Sequence, residues 1–458
     1  MKKKKNNNNN NNLRRPCGDN GEGESYVDVL RFVETTAHMA GELMPVAGES
    51  TSLLLSTHDG AVYACGANTD GALPTVDVDD KDAPFSCLLA SPKTMQGSPR
   101  FVDGAAGFAR TALVDATGKL HLWGRSDGGH LGASREMVNA ARAFGSGAFG
   151  AAARAYAAQG PRVIPFSRRV VSVAVGRLHM LVATSDGLCW SWGSNTAGQL
   201  GHGSLLSTRG GAFLHIAKDD ASDDKRPARL DEPRVISQLR HVSVRRVASQ
   251  CFSSAAVTTD NELFLWGDNR FGQLGQGDAA ARDEPVLVNT ERFVGLHGEV
   301  ADVALGRNHT LALTRHGHVW AWGSNHVGQL GQMVASAGYA WPKRVALDTD
   351  DGHHQVCQLA AGFNHSVVLT CSGDVLTAGD NASGELGRRG DGAWFSPVEL
   401  PGPASYIAAG ARHTMITLAM SSVIGVLPPV VCFGKDNHGQ VSGWQWEVRS
   451  SSTGRDNA

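Results

Sequence analysis

The chain is 458 residues long, 41% hydrophobic and 19% charged, with a formal net charge of −2 at neutral pH. That balance gives no global attraction to nucleic acid or to an anionic membrane, and the length suggests two or three domains unless one repeat array runs through it. The 55 glycines, about 12% of the chain against roughly 7% in an average protein, point to many tight turns.

Lys2 to Lys5, seven asparagines from Asn6 and then Leu13-Arg14-Arg15 open the sequence, so residues 1–24 are expected to form a low-complexity, disordered tail. Two basic clusters around a polar spacer are similar to a two-part nuclear import signal. A chance homopolymer tract or a misplaced start codon accounts for the same letters. From residue 25 onward one phrase recurs seven times: an apolar run, a glycine (Gln250 in one copy), a strand, then a second glycine that follows an aromatic residue in five copies and Cys65 or Ala378 in the others. The closing glycines are Gly66, Gly124, Gly193, Gly267, Gly323, Gly379 and Gly434, separated by 58, 69, 74, 56, 56 and 55 residues. A period of this size marks supersecondary units that cannot bury their faces alone.

Within a unit the distance from opening residue to closing glycine is 18 from Gly48 and 17 from Gly107, Gly176, Gln250, Gly306 and Gly362. From Gly410 it is 24, which locates an insertion around Ser421 to Pro429. Leu311-Ala312-Leu313-Thr314, the turn Arg315-His316-Gly317 and the strand His318 to Trp322 illustrate the grammar: short β-runs joined by tight turns. The second strand is apolar on both faces, with Trp320 and Trp322 on one and Val319 and Ala321 on the other. A sheet open to water would alternate apolar with polar, whereas a blade sandwiched between neighbouring blades would not. Repeats are expected near 46–73, 101–132, 171–203, 247–277, 303–331, 357–387 and 406–441 of a domain spanning 25–448, followed by a tail at 449–458.

Two connections are long. Ala133 to Gly160 is alanine-rich with room for a short helix, and Ser204 to Glu232 is highly charged. The apolar stretch Met415 to Phe433 is interrupted by Ser421, Ser422, Gly425, Pro428 and Pro429, so two strands with a widened turn fit it better than a membrane helix. The eight cysteines form no C-x-x-C pair and are expected to be reduced, buried thiols of a cytoplasmic or nuclear protein. No phosphate loop, zinc signature, nucleophile elbow or dinucleotide fingerprint is present, so neither a catalytic residue, a metal nor a cofactor is expected.

The pattern apolar-x-x-Gly-x-x-His-Thr, then Gly-x-Val-Trp-x-Trp-Gly-x-Asn-x-x-Gly-Gln-Leu-Gly, stands most fully at Gly306 to Gly331, with further copies at Gly176 to Gly201 and Trp266 to Gly275. It resembles the repeat of the regulator-of-chromosome-condensation family. The resemblance implies an all-β, seven-bladed propeller of four-stranded blades around a central channel. It also implies a blade completed by both chain ends, for which Tyr26 to Val33 and Trp444 to Val448 are the candidates. The structural positions are then Gly176, His179, Trp192, Gly193, Trp266, Gly267, Gly306, His309, Trp322, Gly323, Gly362, His365, Gly410 and His413. The histidines are expected to hydrogen-bond backbone at the blade edge, since equivalent points on a large ring are too far apart to share a metal ion.

The family's best-known activity is guanine-nucleotide exchange on the Ran GTPase, for which the resemblance implies acidic side chains between glycine and histidine. Here those pairs are Glu49-Ser50, Phe108-Ala109, Arg177-Leu178, Cys251-Phe252, Arg307-Asn308, Phe363-Asn364 and Ala411-Arg412, with one carboxylate among them. A protruding wedge is also implied, and only Pro74 to Pro84 or Ser204 to Glu232 offers one. In photoreceptor members tryptophans follow the opening glycine, and none does so here. Phe108, Arg110, Arg177, Phe252, Arg307, Asn308, Phe363 and Arg412 are the expected partner-binding rim, because Arg and aromatic residues anchor protein interfaces. The expected function is a non-enzymatic protein-interaction scaffold, with exchange on a Ran-like GTPase as the alternative. The partner is another protein, with no membrane contact and nucleic acid reached only through the basic tail.

Overall fold

The computed structural model describes residues 31–33, 43–56, 60, 62–66, 99–124, 161–203, 229–288, 299–332, 338–347, 355–419 and 430–437. Its N-terminal strand β1 (Arg31–Val33) starts no blade of its own. The first blade is β2 (Leu43–Ala47), β3 (Thr51–Ser56) and β4 (Val62–Gly66); the second is β5 (Phe101–Gly107), β6 (Arg110–Asp115), β7 (Leu120–Gly124) and β8 (Arg162–Ile164). The third runs β9 (Val170–Val175), β10 (His179–Thr184), β11 (Cys189–Ser194) and β12 (Arg229–Val235), and the fourth β13 (Val244–Gln250), β14 (Ser253–Thr258), β15 (Leu263–Gly267) and β16 (Arg282–Leu287). The fifth comprises β17 (Val300–Leu305), β18 (His309–Thr314), β19 (Val319–Ser324) and β20 (Gly338–Arg344). The sixth comprises β21 (Val356–Ala361), β22 (His365–Thr370), β23 (Val375–Gly379) and β24 (Ser396–Pro397).

The seventh blade closes the ring. Its β25 (Ala404–Ala409), β26 (His413–Leu418) and β27 (Val430–Gly434) are completed by β1, paired antiparallel to β27 with Arg31 opposite Cys432 and Val33 opposite Val430. Joining the two ends of the chain in one blade leaves the ring no exposed seam. The C-terminal candidate, Trp444 to Val448, lies outside the described residues, as do the 133–160 and 204–228 connections, the turn at 420–429 and the wedge candidate at 74–84. β26 and β27 confirm that the Met415 to Phe433 stretch is two antiparallel strands. Among the described residues there is no α-helix, only a 3-10 turn at Ser237–Leu239, and hence no helix able to cross a membrane.

The core is divided among the clefts between blades. Each cleft holds its own cluster: Leu311, Leu313, Val319 and Ala321 of the fifth blade face Val356, Leu359, Val368 and Ala378 of the sixth. Ala312, Trp320 and Trp322, alternating with them along the same strands, face Ala255, Leu263 and Leu265 of the fourth. Strand side chains alternate in direction, so a strand wedged between two sheets is buried on both faces and largely apolar on each. That is the physical origin of its two-faced composition, and it makes stability a property of the interfaces.

The closing glycine is required by conformation. Gly323 has φ +98°, and a Cβ there would lie 2.5 Å from the Asn308 carbonyl oxygen. The other six closing glycines share a positive φ between 100° and 114°. This left-handed backbone turns the third strand into the loop beyond it.

Candidate functional site

The Gly-x-x-His phrase is a two-residue turn between the inner strand of a blade and its second strand. Gly306 N–H donates to the His309 carbonyl at 2.8 Å, and the same bond closes the turns at Gly176, Gly362 and Gly410. The glycine also makes room for the imidazole: a Cβ on Gly306 would lie 2.0 Å from His309 Cε1, and one on Gly176, Gly362 or Gly410 2.1–2.2 Å from its own histidine. The fourth blade supplies the converse. It has Ser253 where the third, fifth, sixth and seventh blades have histidine, and there the glycine is replaced by Gln250.

Each of these histidines bolts its blade to the next. His179 Nε2 bonds Ser254 Oγ at 2.8 Å, His309 bonds Ser366 at 3.0 Å, His365 bonds Thr414 at 3.1 Å and His413 bonds Ser52 at 2.9 Å. The expected backbone partner is therefore corrected to a side-chain hydroxyl on the neighbouring blade. That hydroxyl donates its own hydrogen to a turn carbonyl of the histidine's own blade: Ser254 to Gln199 at 2.7 Å, Ser366 to Gln329 at 2.6 Å and Thr414 to Glu385 at 2.9 Å. With its hydrogen so committed the hydroxyl is an acceptor, and Nε2–H of the histidine must donate. Trp266 and Trp322 add indole N–H bonds of 2.9 Å to the Gln199 and Gln273 carbonyls. Burial pushes His179, His309 and His365 down to about 3 and His413 to about 4, so the bolts are neutral.

Arg110 belongs to this machinery and not to the rim. It occupies the histidine position of the second blade, is 1% exposed, and donates to the carbonyls of Phe108 at 3.0 Å and Arg177 at 2.9 Å. It thus clamps the second blade to the third. No histidine points from there to the third blade, and the receiving position there holds Met180, not a hydroxyl.

The variable pairs gather around the mouth of the channel. Arg177 N–H donates to the Cys251 carbonyl at 3.1 Å, Arg307 to Phe363 at 3.1 Å, Phe363 to Ala411 at 2.9 Å and Ala411 to Gly48 at 3.1 Å, so the turns are laced together. Arg177, Arg307 and Arg412 are exposed, whereas Phe108, Phe252, Asn308 and Phe363 are half-buried. The Arg177 guanidinium lies 5.4 Å from the Phe108 ring centre and that of Arg307 5.9 Å from the Phe363 ring centre. Such stacking orients a guanidinium while leaving its donors outward. Asn308 is engaged through its backbone, its carbonyl accepting from Ser324 N–H at 2.8 Å.

Glu49 of the first blade feels both Arg177 of the third and Arg307 of the fifth, which places all three over the hub. Burial raises the Glu49 carboxyl above its usual range and the two arginines oppose the rise. Arg412 stands within electrostatic reach of Glu385. Among the described residues Arg177, Arg307 and Arg412 form no ion pair. Deeper in the channel Arg246 pairs with Asp302, and burial lifts Asp103 to about 6 and Asp302 above its normal range. No group of three or more metal-ligating side chains occurs among the described residues.

This geometry has relatives. The profile described as Regulator of chromosome condensation (RCC1) repeat matches residues 186–257, 260–313 and 316–369, and a second profile of the same description matches 170–199, 300–329 and 356–385. The chain carries RCC1 repeats. It is 27% identical over 414 residues to the Ultraviolet-B receptor UVR8 of Arabidopsis thaliana, covering 89% of this chain and 80% of that protein. It is 36% identical over 164 residues to the Protein RCC2 homolog of Xenopus laevis, covering 35% of this chain and 30% of that one. Against the E3 ubiquitin-protein ligase HERC2 of Homo sapiens it is 27% identical over 85% of its own length, yet spans only 7% of the ligase. The solved structure of human WBSCR16 superposes with a TM-score of 0.62 at 22% identity, covering 87% of this chain and 88% of that one. That of Prp20p from Saccharomyces cerevisiae gives 0.59 at 18%, covering 89% and 92%. At these identities the two structures speak for the shared fold.

The turn of each histidine-bearing blade thus splits into two layers. Glycine, histidine and the receiving hydroxyl join blades, and the pair between glycine and histidine is presented at the hub. The hydroxyl partners were missed by sequence reasoning, although their signal is in the letters: Ser52, Ser254, Ser366 and Thr414 each follow the histidine position directly.

Proposed function

We propose that this RCC1-repeat protein is a non-enzymatic scaffold whose hub face docks an acidic segment of a protein partner. The observation that carries it is the set of exposed guanidiniums at Arg177, Arg307 and Arg412, two of them stacked on Phe108 and Phe363 and none ion-paired among the described residues. Arg stacked on an aromatic platform presents bidentate donors at low entropic cost, the arrangement that suits a carboxylate. The turn backbones beneath are laced to one another, so the face is preorganised for binding. Capture of partners by the wild type and by Arg177→Glu together with Arg307→Glu tests the reading. Partners lost from the charge-reversed protein support it, and an unchanged set refutes it.

The second reading is nucleotide exchange on a Ran-like GTPase, and the solved structure of Prp20p, described together with its binding to Gsp1p and histones, favours it. Against it stands the single carboxylate, Glu49, among the hub pairs. Release of fluorescent GDP from Ran separates the two: acceleration at micromolar protein establishes exchange, and an unchanged rate leaves the scaffold. The hub positions carry no tryptophan, which sets this face apart from the ultraviolet-absorbing arrangement that the family resemblance implies for photoreceptor members.

A further inference from the structure

Not all the thiols are buried, as the sequence suggested. Cys65, Cys189, Cys251 and Cys432 are buried, but Cys357 and Cys371 are both free and exposed. They meet at the end of the sixth blade opposite the hub. Cys357 is the extra residue of a bulge, where the register between β21 and β22 passes from Val356 opposite Thr370 to Gln358 opposite Leu369. A bulge leaves such a residue out of the ladder and re-aims its side chain. Cys371 directly follows β22, and its N–H donates to the Gln355 carbonyl at 2.7 Å, which holds its backbone beside β21. The Cys357 sulfur lies 3.6 Å from the Thr370 carbonyl and within side-chain hydrogen-bonding reach of the Cys371 thiol.

Neighbouring antiparallel strands hold their Cα atoms within the span a disulfide requires. Two thiols already in contact there can be joined by side-chain rotation with the ladder intact. Burial and the neighbouring Cys371 thiol keep the Cys357 thiol above its ordinary range, and joining the two thiols takes an oxidant.

We propose that Cys357 and Cys371 form an oxidation site that reacts with small-molecule disulfides and closes to a Cys357–Cys371 disulfide. The thiolate of one cysteine attacks a sulfur of the reagent, forming a mixed disulfide and expelling one reagent thiolate. The second cysteine's thiolate then attacks the protein sulfur of that mixed disulfide, forming the intramolecular bond and expelling the other reagent thiolate. Two electrons pass from the protein to the reagent disulfide, and the two protons lost by the cysteines end on the two reagent thiols. The rate follows the thiolate fraction, so it rises with pH across the thiol range. The bond would fasten the start of β21 to the end of β22 on the face away from Arg177 and Arg307, leaving the hub unchanged.

The full chain, folded and fully reduced, is incubated with oxidised glutathione, alkylated with N-ethylmaleimide and mapped by peptide mass spectrometry. A cross-linked peptide pair containing Cys357 and Cys371, lighter by two hydrogens and released by dithiothreitol, is the expected result. The Cys371→Ser variant removes the resolving thiol, and Cys357 should then retain a glutathione adduct. Separate adducts on Cys357 and Cys371 in the wild type overturn the proposal. So do bonds from either cysteine to Cys17 or Cys87, or a Cys357–Cys371 bond that forms only after unfolding in urea.

Discussion

Replacing Gly306 by alanine places a Cβ 2.0 Å from His309 Cε1 and 2.3 Å from Nδ1. The ring cannot simply swing aside, because Nε2 is held 3.0 Å from Ser366 Oγ. Overpacking of this kind costs about 1–3 kcal/mol, and giving up the inter-blade hydrogen bond adds roughly 0.5–1.5 kcal/mol. His309→Ser alone removes a buried ring and costs about 2–4 kcal/mol by the cavity it leaves. Together the two changes recreate what the fourth blade does with Gln250 and Ser253, a side chain at the opening position with no imidazole beside it. The double variant should therefore be more stable than the sum of the single costs by about 1–3 kcal/mol. Urea unfolding followed by tryptophan fluorescence across the four proteins of the cycle measures this. Additivity within about 0.5 kcal/mol would refute the claim that the glycine exists to admit the histidine.

Three further outcomes follow from the same geometry. The four bolt histidines have folded-state pKa values of about 3 to 4, below the 6.5 of the unfolded chain, so their stabilisation is complete above 6.5 and lost as pH falls. One unit below 6.5 each forfeits about 1.4 kcal/mol, partly offset by Asp103, whose carboxyl is held up at about 6; thermal unfolding at pH 5.5 should begin well below that at 7.5, and equal melting temperatures would contradict the neutral bolts. Glu385 occupies the position of Gln199, Gln273 and Gln329, with burial raising its pKa and Oε1 unpartnered, so ionising it destabilises the fold as pH rises through the raised value. Glu385→Gln should raise the melting temperature at pH 7.5 and do so less at pH 4.5, and a lower melting temperature at 7.5 would show that the carboxylate is needed. Arg110→Ala leaves two carbonyls at the junction of the second and third blades without their charged donor and should cost about 2–4 kcal/mol, read as a fall in the urea midpoint; no change would return Arg110 to the rim.

The ring was legible because its determinants repeat. Trp-Gly pairs, the two-faced second strand and a fixed spacing state the blade and its burial without reference to anything distant in sequence. The bolts were half legible: histidine and glycine are three residues apart and belong to one turn, but the hydroxyl that receives each bond lies 49 to 75 residues further on in the first three cases, and His413 reaches back 361 residues to Ser52. Arg110 was misplaced because an arginine beside a turn is ordinarily solvated, and only the carbonyls of Phe108 in its own blade and Arg177 in the next show that this one is buried. The exposed Cys357 and Cys371 escaped notice because their meeting depends on a bulge, which changes register by one residue and leaves no mark in hydrophobic pattern.

The division between joining residues and presented residues is tested most directly by Arg177→Glu with Arg307→Glu. Both side chains are exposed and outside the bolts, so the melting temperature should match that of the wild type, while affinity for a captured acidic partner should fall about thirtyfold or more, the loss expected when interface arginines worth about 2 kcal/mol are reversed. Unchanged affinity in a protein that melts normally would contradict the assignment of binding to the hub.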